Sequence, residues 1–377
     1  MRSLTYVRDE QSKDSVATSI LLPKFIFSRK EQCPISPKAS TSTNNSILQD
    51  LQAFACFAPL HYLCIECKNT RQLPALFFAL RIRTDMQQSH YKVAEHLFTI
   101  TAQDGDIEKL FPTIAPFKCN KDGNPLFTIT VDNSIIPSWQ GEKIGTFPCP
   151  NATFEVYRRE SGEYQILILS DNIPCTFIES NADYSHYSVT TRGGEELVLF
   201  GLNNALMLAY TISTAAHDTL LVHSSVVENS GKAYMFLGKS GQGKSTHSDL
   251  WVKYIAGSTL INDDNPVIRI APDGTPIVYG SPWSGKRPIY KNVHYPIGGF
   301  AAIEQEKENS IRKESIPTAF GILLSSMSTM KFDKAIHMKV CATISKVLAK
   351  LPVHTLGCRP DEDAAKVSSN ALGCHGR

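Results

Sequence analysis

The chain has little excess charge of either sign: 38 Lys and Arg stand against 36 Asp and Glu, a net charge of +2 over 377 residues. No strong field is available to capture nucleic acid or an anionic membrane, and neither partner is expected. A cysteine framework is lacking as well. Of ten cysteines only Cys64 and Cys67, in CIEC, form a close pair, and no second pair follows to complete a zinc site. Reduced thiols in a cytoplasmic setting are the simpler reading. An uninterrupted apolar run is also missing. LVLFGLNNALMLAYTISTAA, residues 197–216, carries Asn203 and Asn204 near its middle, so a buried helix fits better than a membrane span. MRSLTYVRDEQSKDS, at the start, has charges where a signal peptide needs apolar residues. No internal repeat is present.

What is there suffices for a sizeable core: 42% of residues are hydrophobic and 20% charged, and 377 residues give room for two domains. Residues 1–85 contain the Pro/Ser/Thr/Asn-rich stretch CPISPKASTSTNNS and show no sustained period of 2 or 3.6. A poorly ordered extension is expected there, or translation beginning at Met86. Residues 86–196 are expected to form a smaller, mostly β domain, because LFTITV, TFEVYRR, YQILILS, CTFIES and HYSVTT are β-branched and aromatic runs separated by turn signals. A second domain is expected over 197–360 and a tail over 361–377. In that second domain TLLVHSSVV and KAYMFLG flank Ser230 and Gly231 as a strand pair, KSTHSDLWVKYI reads as a helix, and STLINDD as a strand. NSIRKESIPTAFGILLSSM and KVCATISKVLAKL have helical spacing. The fold class is α/β (α+β).

Between the second apolar run and the helix lies GKSGQGKST, in which Gly238, Gly243, Lys244 and Ser245 stand at the spacing G-x-x-x-x-G-K-[ST]. Glycines let successive backbone N–H groups face one cavity, and the helix start adds its positive end. Lys244 is placed to reach β- and γ-phosphate oxygens, and the Ser245 hydroxyl to meet Mg²⁺. Nucleotide contacts are expected from Gly238, Lys239, Ser240, Gly241, Gln242, Gly243, Lys244, Ser245 and Thr246 of this P-loop.

LINDD brings Asp263 and Asp264 to the end of an apolar strand, 18 residues beyond Ser245. A carboxylate at a neighbouring strand tip suits a nucleotide-bound magnesium, and an adjacent one can accept a proton from an incoming hydroxyl. NDDNP is also good turn chemistry. His223, on the run before the loop, is a candidate to touch phosphate or orient an aspartate, or a structural histidine. GSPWSGKR offers Lys286 and Arg287 to neutralise a moving phosphoryl group, or as solvated surface residues, and Trp283 to line a pocket.

In this order, His223, GKSGQGKST and INDD, the text resembles the HPr serine kinase/phosphorylase family and its relative, ATP-dependent phosphoenolpyruvate carboxykinase. The resemblance covers residues 197–300 and is nearest over 219–270. It implies a P-loop core of that type, ATP and Mg²⁺ as cofactors, the family's histidine role at His223, phosphate binding from Gly238 through Lys244, and magnesium on Ser245 and Asp263. Asp264 is favoured as the base, with Asp263 facing the metal. STHSDLW departs from the acidic residue that usually follows the loop serine in these kinases. The implied activity is transfer of a γ-phosphoryl group to a hydroxyl, with serine favoured, on an unidentified protein, peptide or small-molecule acceptor. Homo-oligomer formation is left open. The alternatives are an ATP-binding regulatory module without turnover and a P-loop ATPase. A guanine-specific switch lacks its element, since NKDG at residue 120 lies upstream of the loop.

Overall fold

The computed structural model describes residues 86–103, 106–149, 152–285 and 287–374. The extension expected at 1–85, the CIEC pair within it, and Lys286 lie outside the described residues. The six cysteines within them are all free thiols.

Two mixed sheets and six helices make up the described residues. The first sheet begins with a hairpin of β1 (Gln87–Val93) and β2 (His96–Ala102), turned at Ala94 and Glu95, whose φ angles of 46° and 62° give the mirror-image turn that matches strand twist. A short helix, α1 (Ile107–Leu110), and the two-residue strand β3 (Lys118–Cys119) follow. Then come β4 (Phe127–Val131), β5 (Glu142–Pro148), β6 (Thr153–Arg158), β7 (Tyr164–Ser170), β8 (Ile173–Ser180) and β9 (His186–Thr191). The spatial order is β3-β1-β2-β4-β9-β8-β7-β6-β5. In β4 the alternation is clean: Phe127, Ile129 and Val131 are buried and the threonines between them less so.

Helix α2 (Glu195–Thr214) is long and apolar enough to cross a membrane by length and composition, yet over half of its apolar window is buried against β4, β7, β8 and β9. Asn203 lies exposed, and Asn204 donates to the Phe200 carbonyl one turn back (2.9 Å). Both amides thereby stay out of the apolar face. The border expected at 196/197 falls inside one compact unit, because this helix packs on the first sheet and one hydrophobic cluster runs on into the second.

The second sheet contains β10 (Thr219–Leu221), β11 (Ser224–Asn229), β12 (Lys232–Leu237), β13 (Thr259–Asn262), β14 (Val267–Ile270), β15 (Pro276–Tyr279) and β16 (His294–Gln305), in the order β10-β14-β15-β16-β12-β11-β13. β18 (Val353–Cys358) pairs with β16 and with β17 (Ser310–Lys313). The pairs β12–β16 and β16–β18 are parallel. Helix α3 (Lys244–Tyr254) packs on β11, β12 and β13, with Trp251 fully buried between Tyr234 and Phe236. Helices α4 (Ile316–Ser326) and α5 (Lys334–Leu348) contact each other. Ser315 caps α4, so the run expected to be helical from residue 309 is instead strand β17 followed by a capped helix.

The expected tail at 361–377 is corrected: residues 362–371 form α6 (Glu362–Ala371), which packs on α3 and buries Ala364, Ala365 and Ser368. Asp361 caps it at the Ala364 N–H (3.0 Å). Ser368 binds both the Trp251 indole (2.8 Å) and His247 Nε2 (3.0 Å).

Burial pushes His247 down to about 4. Burial, with Arg269 and His217 adding to it, pushes His96 down to about 3. Both rings are therefore neutral when folded, whereas the unfolded chain takes up their protons near pH 6.5. Stability is full above pH 6.5 and is lost as the pH falls toward 4 and 3, by about 1.4 kcal/mol per pH unit for each group. Urea titrations across this range are expected to show that slope. His96→Gln, which keeps a donor for Thr219, is expected to flatten it by one proton's worth; an unchanged slope would place His96 outside the linkage.

Candidate functional site

Strand register brings three chain segments to one sheet edge. Ser224 of β11 lies opposite Leu237 of β12, and Val226 opposite Asn262 of β13. His223, one residue before β11, therefore sits beside Gly238, and Asp263 and Asp264 leave β13 beside Ser225 and Ser224. The Ser224 N–H donates to the Asp264 carbonyl (2.9 Å) and closes that corner. The apolar run read as TLLVHSSVV is interrupted here: β10 pairs with β14 and β11 with β12, and the break falls at Val222 and His223.

The glycine-rich loop joins β12 to α3. Gly243, at φ 101°, is the residue before the helix, a conformation that L side chains rarely adopt, and no side chain caps the helix start. Gly238 has φ 145°, and a Cβ there would meet Gln242 Oε1 at 2.7 Å. That carboxamide oxygen accepts from the Lys239 N–H, while the Gln242 N–H donates to the Lys239 carbonyl (3.2 Å). Ser240, Gly241, Ser245 and Thr246 are exposed.

Lys244 points back under the loop and is only 8% exposed. Its ammonium donates to the Gly238 carbonyl (2.9 Å), the Lys239 carbonyl (3.2 Å) and His223 Nε2 (3.0 Å). An ammonium has only donors, so Nε2 is the acceptor and the imidazole proton is on Nδ1. Nδ1 lies 2.9 Å from Asp264 Oδ1 and donates to it. Lysine, histidine and aspartate thus form one directed chain. Burial lowers the Lys244 pKa, and the carboxylates of Asp264 and Asp263 pull it back up.

Asp263 is placed differently. Its side chain is 4% exposed, with Oδ1 accepting from the Ser225 hydroxyl (2.7 Å) and Oδ2 from Arg287 Nε (2.6 Å). Burial alone would raise its pKa; Arg287 and the hydroxyls of Ser225 and Ser245 outweigh that and hold the carboxyl below the usual range. Arg287 also bonds Asp249 on α3. The two adjacent carboxylates therefore have unlike partners, one a guanidinium and hydroxyls, the other an imidazole.

The loop at 281–285 fixes this pair. Asn262 donates to the Ser281 hydroxyl and the Trp283 carbonyl (3.2 Å each) and accepts from the Asp264 N–H (2.9 Å). Gly285 lies against the pair, where a Cβ would come within 3.2 Å of the Asp263 carbonyl. Trp283 does not line a pocket at the loop: it is 2% exposed and packs on Tyr210 of α2 (5.1 Å between ring centroids), anchoring the loop to the core. Ser225, Ser248 (its hydroxyl 2.6 Å from that of Ser225), Asp249 and Asn262 are site residues that the sequence reading missed. Isolated serines and an asparagine have no spacing signature, although Asp249 stands four residues after Ser245 and so shares its helix face.

Ser245 and Asp263 supply hard oxygen donors, which fit a magnesium ion that takes its other ligands from phosphate and water. Among the described residues no three His, Cys, Asp or Glu side chains gather as a self-sufficient metal site. A separate cavity of about 520 Å³, lined by Ala216, His217, Arg269 and Lys346 among others, shares no residue with the glycine-rich loop. Its Lys346 stands in the last turn of α5, where a cation complements the helix dipole.

No protein-family model matches this chain, and no curated protein matches it. Among solved structures, the Hpr(Ser) kinase/phosphatase from Coxiella burnetii is similar over 41% of this chain and 89% of that one, at 10% sequence identity and a TM-score of 0.25. This is a distant structural similarity.

Proposed function

We propose that the chain is an ATP-dependent phosphotransferase of the HPr-kinase-like type, moving the γ-phosphoryl group to a hydroxyl, serine by preference, of a protein, peptide or small-molecule acceptor. The observation that carries this reading is the unlike surroundings of Asp263 and Asp264 beside the buried Lys244. Simple binding needs no second carboxylate, whereas a nucleophile attacking the γ-phosphate, a hydroxyl above all, needs a group to take its proton. N–H groups of the glycine-rich loop and the start of α3 would hold the phosphates, and Lys244 would turn its ammonium from the Gly238 and Lys239 carbonyls to phosphate oxygens. Ser245 and Asp263 would hold the magnesium ion, which when bound spreads the charge of the phosphate oxygens. Asp264 would accept the acceptor's hydroxyl proton at a carboxylate oxygen, with His223 Nδ1–H fixing its orientation. Arg287 would offset charge at the phosphoryl group. Free thiols throughout the described residues agree with a cytoplasmic setting.

The test is ADP release from purified protein and Mg·ATP, with and without candidate hydroxyl acceptors. Release that depends on an acceptor supports transfer. Tight nucleotide binding with no release under either condition supports a regulatory module instead, and equal release under both supports an ATPase.

A further inference from the structure

Arg287 links three points of the site. Its Nε donates to Asp263 Oδ2 (2.6 Å), its second nitrogen bonds Asp249, and its third lies 3.5 Å from the Ser245 carbonyl. The other Asp263 oxygen is held by Ser225 at 2.7 Å, and the carboxylate is almost wholly buried. A cation reaching Oδ2 must therefore displace the guanidinium, and until it does so it meets a fixed positive charge. Asp249 is exposed and stands one helical turn from Ser245, so Arg287 can release Asp263 while keeping its other anchor. The planar fork of Arg287 reaches the two carboxylates with donors on different nitrogens.

Resting on the phosphotransferase reading, we propose that Arg287 stands in for the divalent cation at Asp263, excluding the bare ion and yielding only when phosphate charge arrives with it. Metal and nucleotide then bind as a coupled pair. By linkage, each raises the other's affinity by the same factor. Such a device keeps a buried carboxylate paired at every stage, since one positive group replaces another.

The experiment is a Mn²⁺ titration followed by electron paramagnetic resonance, run without nucleotide and with a non-hydrolysable ATP analogue, on the parent chain and on Arg287→Gln. Without nucleotide, Arg287→Gln is expected to bind Mn²⁺ at least about tenfold more tightly than the parent, and the analogue's enhancement of Mn²⁺ affinity is expected to shrink by a similar factor. Equal nucleotide-free affinities in two chains that both bind the Mn²⁺–analogue complex would overturn the proposal and leave the phosphotransferase reading standing. A parent that binds no analogue at all would remove that reading, and this proposal with it. Circular dichroism melts check that the variant folds. Should it not, Arg287→Lys carries the same test: an ammonium lacks the planar fork that meets Asp263 and Asp249 from separate nitrogens, so looser exclusion of Mn²⁺ is expected, and parent-like exclusion overturns the proposal.

Discussion

Asp264→Asn is expected to leave Mg·ATP affinity nearly intact while the rate of phosphoryl transfer falls by about 10²–10⁴-fold, the usual worth of a general base. Asn keeps an oxygen that can accept from His223 Nδ1 but is too weak a base to take a hydroxyl proton. Asp263→Asn is expected to show the opposite pattern, with weakened Mg·ATP binding, because a charged ligand to the cation is lost beside Ser245. This variant also leaves Arg287 without its buried partner, so a lower melting temperature should accompany the weaker binding. Nucleotide titrations and a phosphotransfer assay on both variants settle the assignment. If both bind and turn over like the parent, the pair is a turn and the phosphotransferase reading loses its main support.

The second large effect is expected at Lys244. Lys244→Ala should lower nucleotide-dependent turnover by about 10²–10³-fold, the scale for removing one donor aimed at developing charge. Two further losses follow from its bonding. The carbonyls of Gly238 and Lys239 lose their shared donor, and His223 loses the contact that sets its tautomer. No apolar packing is removed, so the variant should fold, with a melting temperature lowered by the acceptors left without their donor. Full turnover in the variant would mean that the loop is not the site.

Local chemistry was legible wherever it is written in contiguous residues. The hairpin from Ser224 to Leu237, the glycine-rich loop, α3 and the strand ending at Asn262 each carry their own turn residue or period. His223 was singled out by its place beside the loop, and its bonds to Lys244 and Asp264 follow from register. Other features were hidden for physical reasons. Ser225 and Asn262 act through distance in space, not spacing in sequence. Strand β5 is a largely exposed edge, so it lacks the alternation that marks a half-buried strand. Helix α6 buries alanines and serines in place of large apolar residues, and so reads as polar. Trp283 looked like a ligand-facing aromatic because no local pattern shows that Tyr210 waits for it across the core.

Strand β16 has a consequence for the order in which the molecule can be made. Its residues from Ile297 onward pair with β12, which leads into the glycine-rich loop, and Phe300 pairs at the same time with Val353 of β18. A growing chain that has just completed the loop and Asp264 still lacks β16, the neighbour of β12 on that side, and β18 does not begin until Val353, long after β16 ends at Gln305. Until then the loop hangs from a strand paired only with β11 and, through it, β13. These long closures must be made before the parallel pairs repay them, which makes this half of the protein slow to assemble and leaves β12 with an open flank during synthesis. The order of emergence from the ribosome thus makes the edge that carries the glycine-rich loop one of the last parts to become rigid.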